Sequence, residues 1–167
     1  ITTKPPYINS YGGVFMFKNV FENMSKEGKA YAFFIILCEA VGLISGLISM
    51  MGMMDLDDVI QSDLTPPSIL FPIVWTILYA LMGIGAARVY LAEESLEQIK
   101  GLIVFFLQLA VNFIWSIIFF NLQAFQLAFW WLLLLWVLII IMIVLFWKSD
   151  RLAAILQIPY LLWVTFA

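Results

Sequence analysis

Histidine is missing from this chain altogether, and its one cysteine, Cys38, has no internal partner. The first absence excludes zinc sites built on imidazole, acid–base catalysis by histidine and haem iron held by a histidine. The second excludes an internal disulfide and leaves the redox compartment open. Charge is scarce as well: only 11% of the 167 residues are charged, where an ordinary soluble domain carries roughly 25%. The net charge is −3 and the basic residues number only 8. No basic stripe exists to neutralise phosphates, so a nucleic-acid partner is excluded. What remains is apolar. At 65% hydrophobic residues there are too few polar side chains to cover a globule in water, so most of the surface must face lipid.

A helix that crosses roughly 30 Å of hydrocarbon needs about 20 mostly apolar residues. Five runs of that character follow one another: about Tyr31 to Met54, Ser68 to Leu91, Ile99 to Leu122, Ala124 to Trp147, and a fifth from near Leu152 to Ala167. By a rise of about 1.5 Å per residue the fifth is a turn or more short of a full crossing, so it is expected to be truncated. Connections are short apart from the stretch Asp55 to Pro67, which makes neighbouring helices antiparallel. Open sheet is too costly in lipid. The expected fold class is all-α and integral to the membrane: an antiparallel bundle of five transmembrane helices over residues 30–167, preceded by an N-terminal segment, 1–29. No internal repeat is visible and no helix is expected to break at mid-membrane, which weighs against the architecture of many secondary transporters. In the N-terminal segment, Pro5, Pro6, Gly12 and Gly13 mark a loop rather than a cleavable signal. Val14, Phe17, Phe21 and Met24 then recur at helical spacing with Lys18, Glu22 and Lys26 between them. That pattern suits either a short amphipathic helix in the membrane interface or an unstructured tail.

The few charges are placed unevenly. Lys4, Lys18, Lys26, Lys29, Arg88, Lys100, Lys148 and Arg151 are all the basic residues of the chain. They fall on the side shared by the N-terminus, the loop between the second and third helices, and the loop between the fourth and fifth. The opposite side holds none, and its long loop is acidic through Asp55, Asp57, Asp58 and Asp63. The positive-inside rule then places the N-terminus in the cytoplasm and the long loop outside.

Inside the spans, Glu39 is the one charge-capable residue near the middle of a helix. A carboxyl there is a functional candidate by default, the alternative being a neutral acid hydrogen-bonded to a neighbouring helix. It sits beside Cys38-xxx-Gly42-xxx-Gly46, a small-residue stripe expected to bring two helix backbones close with Glu39 packed at the contact. The third span carries Gln108, Asn112 and Ser116 four residues apart, hence on one face. Such a stripe serves either hydrogen bonds between helices or the wall of a polar cavity. Trp147 falls where an interfacial belt is expected, at the cytoplasmic end of the fourth span. Trp75, Trp115 and Trp163 instead lie at one depth, at or slightly outward of the midplane. Three indoles beside Asn112 and beneath a long loop describe an aromatic-lined, mostly apolar pocket with a polar contact and a lid.

These residues sit in motifs that resemble a known family. Thr65-Pro66-Pro67 is followed by Phe71-Pro72-Ile73-Val74-Trp75-Thr76-Ile77-Leu78-Tyr79. Gln108-Leu109-Ala110-Val111-Asn112-Phe113-Ile114-Trp115-Ser116 comes next, with Ile118-Phe119-Phe120. Then come Phe146-Trp147, Asp150-Arg151-Leu152-Ala153 and Pro159-Tyr160-Leu161-Leu162-Trp163-Val164-Thr165-Phe166-Ala167. In that order they are similar to the motifs of the TspO/MBR family (translocator protein, peripheral-type benzodiazepine receptor), from about Gly42 to Ala167.

The resemblance implies a five-helix bundle, commonly a homodimer, that binds porphyrin, haem-type tetrapyrroles and other large apolar ligands such as sterols between its helices. It implies no required cofactor, no metal and no catalytic residue. The pocket it implies is lined by Pro66, Trp75, Tyr79, Asn112, Trp115, Ser116, Phe119, Trp163 and Ala167. The implied function is that of a receptor or sensor in a bacterial cell membrane. The alternatives are an enzyme that degrades porphyrin with light and oxygen, or a transporter of porphyrins or sterols. Family members usually carry a Trp-Tyr pair in the long loop and a Lys-Pro shortly before the Pro-Pro. Here the matching stretches read Asp55-Leu56 and Gln61-Ser62, and the missing aromatic pair weighs against photodegradation. The family's sterol-contact segment is expected beyond Ala167.

Overall fold

In lipid each backbone N–H must find its acceptor within its own segment, and apolar runs achieve this as helices. A computed structural model describes residues 24–53 and 70–166. It holds α1 (Lys26–Met53), α2 (Leu70–Leu91), α3 (Leu96–Ser116), α4 (Phe125–Ser149), α5 (Arg151–Ile155) and α6 (Ile158–Phe166). Four of these stretches are long and apolar enough to cross a membrane, and Arg151–Phe166, the fifth, is shorter. There is no strand among the described residues. The acidic loop, the proposed amphipathic stretch 14–23, Pro66 and Ala167 lie outside the described residues.

Helix starts follow local chemistry. Ser25 Oγ accepts the Gly28 N–H at 3.1 Å, so α1 begins at Lys26, ahead of its apolar run. Ser95 Oγ accepts the Gln98 N–H at 3.1 Å at the head of α3. Asp150 accepts the Ala153 N–H at 2.8 Å at the head of α5.

Two irregularities were not expected from the sequence. The end of α3 widens into a π-helical segment, Ile117–Asn121, closed by a 3.0 Å bond from the Leu122 N–H to the Ile117 carbonyl. The following turn holds Gln123 at a φ of 49°, in the left-handed region. The fifth helix also breaks at Leu156–Gln157. Pro159 lacks an N–H and its ring excludes the carbonyl of Ile155, so one straight helix cannot continue through it. By helix rise the break lies about 9 Å from Arg151, on the basic-end side of the helix middle.

The helices close into a ring in the order α1, α2, α5/α6, α4, α3, with α2 and α3 also touching across the interior. Small residues let α2 sit deep in this ring: Ala86 and Ala87 are fully buried. At Gly83 an added Cβ would lie 2.6 Å from the Ile35 Cα, so α1 and α2 meet backbone to backbone there. Large apolar side chains such as Phe33, Ile103, Leu134 and Leu162 point outward instead. This is a multi-pass membrane protein turned apolar side out.

Arg88, at the end of α2, grips Asp150 between α4 and α5 with two parallel bonds, Nε to Oδ1 at 3.1 Å and Nη2 to Oδ2 at 2.7 Å. This pair brings the ends of α2 and α4 together at the end of the bundle where the antiparallel α1 and α3 begin. The basic residues of the described spans therefore gather at one end. Burial alone would raise the Asp150 carboxyl, but the bonds from Arg88 and from the Ala153 N–H outweigh it and hold the group below the usual carboxylate range.

Candidate functional site

The inward face of α2 presents Trp75 and Tyr79, one turn apart. Their rings are 5.5 Å apart and tilted by 33°. Tyr160 of α6 meets Trp75 edge-on, at 6.3 Å and 65°. Tyr79 lies over Gly42 of α1, where any Cβ would collide with its ring. Glycine at 42 thus makes room for an aromatic side chain.

Beneath these rings runs a buried chain of hydrogen bonds. The Tyr79 hydroxyl donates to Asn112 Oδ1 at 2.8 Å. Asn112 Nδ2 donates to the Tyr160 hydroxyl at 2.8 Å, and that hydroxyl donates to Gln108 Oε1 at 3.0 Å. Gln108 and Asn112 are 0% and 1% exposed, so the chain is shielded from bulk solvent. The chain ties α2, α3 and α6 together, and it decides how the third-span stripe is used: those amides bond between helices. Ser116 agrees, accepting a 2.7 Å bond from Ser45 of α1. One donor is left over. Gln108 Nε2 is buried without a partner among the described residues, as is Trp163 Nε1, and an unpaired buried donor costs about 1–3 kcal/mol.

The other expected site residues fall around this centre rather than in one cavity. Trp163 packs on Phe71 at 5.8 Å and borders an open apolar groove of about 580 Å³ between α2 and α6, with Val74, Leu78 and Pro159. Trp115 turns toward α4: its indole N–H donates to the Ala128 carbonyl at 3.2 Å, and its ring stacks on Phe119 at 5.1 Å. Trp131 packs against both the Trp115 group and the main core, so it links the two. Its N–H donates to the Val111 carbonyl at 2.9 Å. Trp147 is 49% exposed with Arg151 stacked 5.8 Å from its ring, which suits an interface position.

Sequence reasoning assigned no site role to Tyr160 or Trp131. Tyr160 stands three residues before Trp163, and that spacing alone would have put it on the same side of the helix. The small-residue stripe needs correction. Gly42 meets a side chain, no described residue lies within 4 Å of a Cβ built on Gly46, and the close backbone approach is made by Gly83 instead. Glu39 is half-buried beside the lipid-facing side of α1 and does not sit at that contact. A small-xxx-small spacing marks a groove on a helix without saying what fills it.

Known proteins resemble this chain along most of its length. The sequence pattern of the TspO/MBR family matches residues 34–167. The protein named CrtK of Rhodobacter capsulatus is 36% identical over 138 residues, covering 82% of this chain and 85% of its own. The tryptophan-rich protein TspO of Chlorobaculum tepidum is 32% identical over 146 residues, 86% of this chain and 92% of its own. The tryptophan-rich sensory protein of Cereibacter sphaeroides is 34% identical over 102 residues, 61% of this chain and 63% of its own. A match of that extent, on a bundle of membrane-spanning helices, makes this chain a member of the TspO/MBR family.

Proposed function

We propose that this protein is a membrane receptor or sensor that holds a tetrapyrrole, or another large flat apolar ligand, against the aromatic cluster inside its bundle. The observation that carries this reading is the meeting of Trp75, Tyr79 and Tyr160 over a buried polar chain that ends in an unpaired donor, Gln108 Nε2. A macrocycle gains from burial and from offset or edge contacts with aromatic rings. Its central nitrogens or propionates need only a few polar partners, and Gln108 Nε2 and Trp163 Nε1 are donors still to be matched. Trp115, Ser116 and Phe119 are proposed as the α3 side of the site, and the family resemblance adds Pro66 and Ala167, which lie outside the described residues. Kinship with a protein named as sensory supports the receptor role. No histidine is present and the hydroxyls of Tyr79 and Tyr160 are engaged, so the proposed contacts are to the ligand's ring and edges. The protein acts as a homodimer with its N-terminus in the cytoplasm, the side favoured by its basic end.

Titration of the purified protein with metal-free porphyrin and with haem, in the dark and then illuminated, tests this. The expected result is saturable quenching of indole fluorescence by both, with metal-free porphyrin bound at least as tightly and bleached only slowly. Absence of saturable quenching would remove the receptor reading. Rapid protein-dependent conversion to a defined product would replace it with an enzyme.

A further inference from the structure

The turn from α4 to α5 carries two cations that no acid answers. Lys148 and Arg151 are both exposed, and neither side chain forms an ion pair or hydrogen bond among the described residues. The carboxylates at this end of the bundle do not quench them. Asp150, between the two in sequence, is taken by both bonds from Arg88. Glu93, Glu94 and Glu97 pair with neither cation. Arg151 is nevertheless held in place, with its guanidinium 5.8 Å from the centre of the Trp147 ring. That contact fixes the planar group and leaves its N–H edges free. Toward the membrane middle, Val144 on α4 and Leu152 and Ile155 on α5 are about half exposed. Snorkelling to water accounts for either cation alone. It does not account for a guanidinium fixed on an indole, beside a second cation, at the head of an apolar track.

We propose that this turn binds an anionic phospholipid, its phosphate held by Lys148 and Arg151 and an acyl chain lying along Val144, Leu152 and Ile155. The chemistry favours a lipid over a soluble anion or an acidic peptide. Indoles placed like Trp147 settle at the headgroup level, where lipid phosphates are already concentrated. A guanidinium matches a phosphate with two parallel N–H bonds, and an ammonium adds a point charge. Two positive charges exceed what a zwitterionic headgroup requires, so lipids with a net negative charge gain most. Only a lipid also covers the apolar track. The inference rests neither on the receptor reading nor on which side of the membrane the basic end occupies.

Native mass spectrometry of the purified protein tests it, after equilibration with equal amounts of phosphatidylglycerol and phosphatidylcholine carrying the same acyl chains. The expected result is retained phosphatidylglycerol, preferred over phosphatidylcholine by about tenfold. Lys148→Gln and Arg151→Gln should each cut that preference about threefold, and the double variant should abolish it. Lys100→Gln removes another exposed cation from the same end of the bundle and should leave the preference unchanged. Inorganic phosphate should displace no more lipid than chloride does at equal ionic strength. Helicity and monodispersity of each variant in detergent show that the fold is kept. Equal retention of the two lipids by the parent protein would overturn the site. A loss with Lys100→Gln as large as with Lys148→Gln would assign the effect to total charge at this end, and overturn it too. Displacement by phosphate beyond that by chloride would overturn the lipid as occupant, in favour of free phosphate.

Discussion

At Asn112 both ends of one side-chain amide are engaged, by the hydroxyls of Tyr79 and Tyr160. Replacing it with leucine leaves the buried Tyr79 hydroxyl without its acceptor and removes the donor to the Tyr160 hydroxyl, which keeps its bond to Gln108. Asn112→Leu should therefore cost about 1–3 kcal/mol in an unfolding titration. Tyr79→Phe removes one hydroxyl and should cost about 0.6 kcal/mol, the average for hydrogen bonds between membrane helices. Equal losses would show that the chain is not cooperative. In porphyrin titrations, Trp75→Ala and Trp163→Ala should each weaken binding by roughly 1–3 kcal/mol through lost aromatic burial. Trp147→Ala should leave the affinity nearly as it was, since that indole lies at the exposed end of α4. If Trp147→Ala is as damaging as the other two, the proposed site is misplaced. Asn112 was legible as a buried polar residue on a stripe. Which hydroxyls it would meet was not, because Tyr160 reaches it from a helix 48 positions along the chain.

Among elements, the head of α5 has the most to test. Asp150 both caps the helix and holds Arg88. Asp150→Asn keeps a capping oxygen but loses the ion pair, and should cost no more than about 1 kcal/mol at this partly exposed site. Asp150→Ala loses the cap as well and should cost about 1 kcal/mol beyond that. Folding lowers the Asp150 pKa. Its contribution is therefore fully present above the unfolded value of about 3.9 and is lost as pH falls through the folded value. Thermal unfolding from neutral pH into the acid range should show a shallower acid loss in Asp150→Asn than in the parent. At the meeting of α1 and α2, Gly83→Val must push two backbones apart and should destabilise by about 1–3 kcal/mol or more. The five apolar runs announced these helices to within a few residues. The π-helical end of α3 had no advance sign, because no residue between Ile117 and Asn121 forbids an ordinary α-helix. The break in the fifth helix is written locally in Pro159, whose ring and missing N–H forbid a straight α-helix there, but the apolar run around it has the same composition with or without a break.

For the molecule as a whole, the uneven charges state a testable orientation. Ser62→Cys should react with a membrane-impermeant thiol reagent on intact cells, since all basic residues belong to the opposite side. The native Cys38 is 0% exposed and contributes little background. Labelling only after lysis would reverse the topology.

The sequence by itself determined the solvent, the number of apolar runs and their antiparallel order. Those depend on composition and on the length needed to cross hydrocarbon, both of which are summed along the chain. It also carried the motif residues that mark the family. The tertiary structure alone decided the ring order, in which α2 neighbours α5 and α6. It turned Trp115 toward α4 while Trp75 and Tyr79 face Tyr160, and it assigned the close backbone contact to Gly83 rather than to the stripe through Gly46. Periodicity states which residues share a face of a helix. Which face meets which neighbour depends on how side chains from distant segments fill the same space, and no local stretch of sequence contains that information.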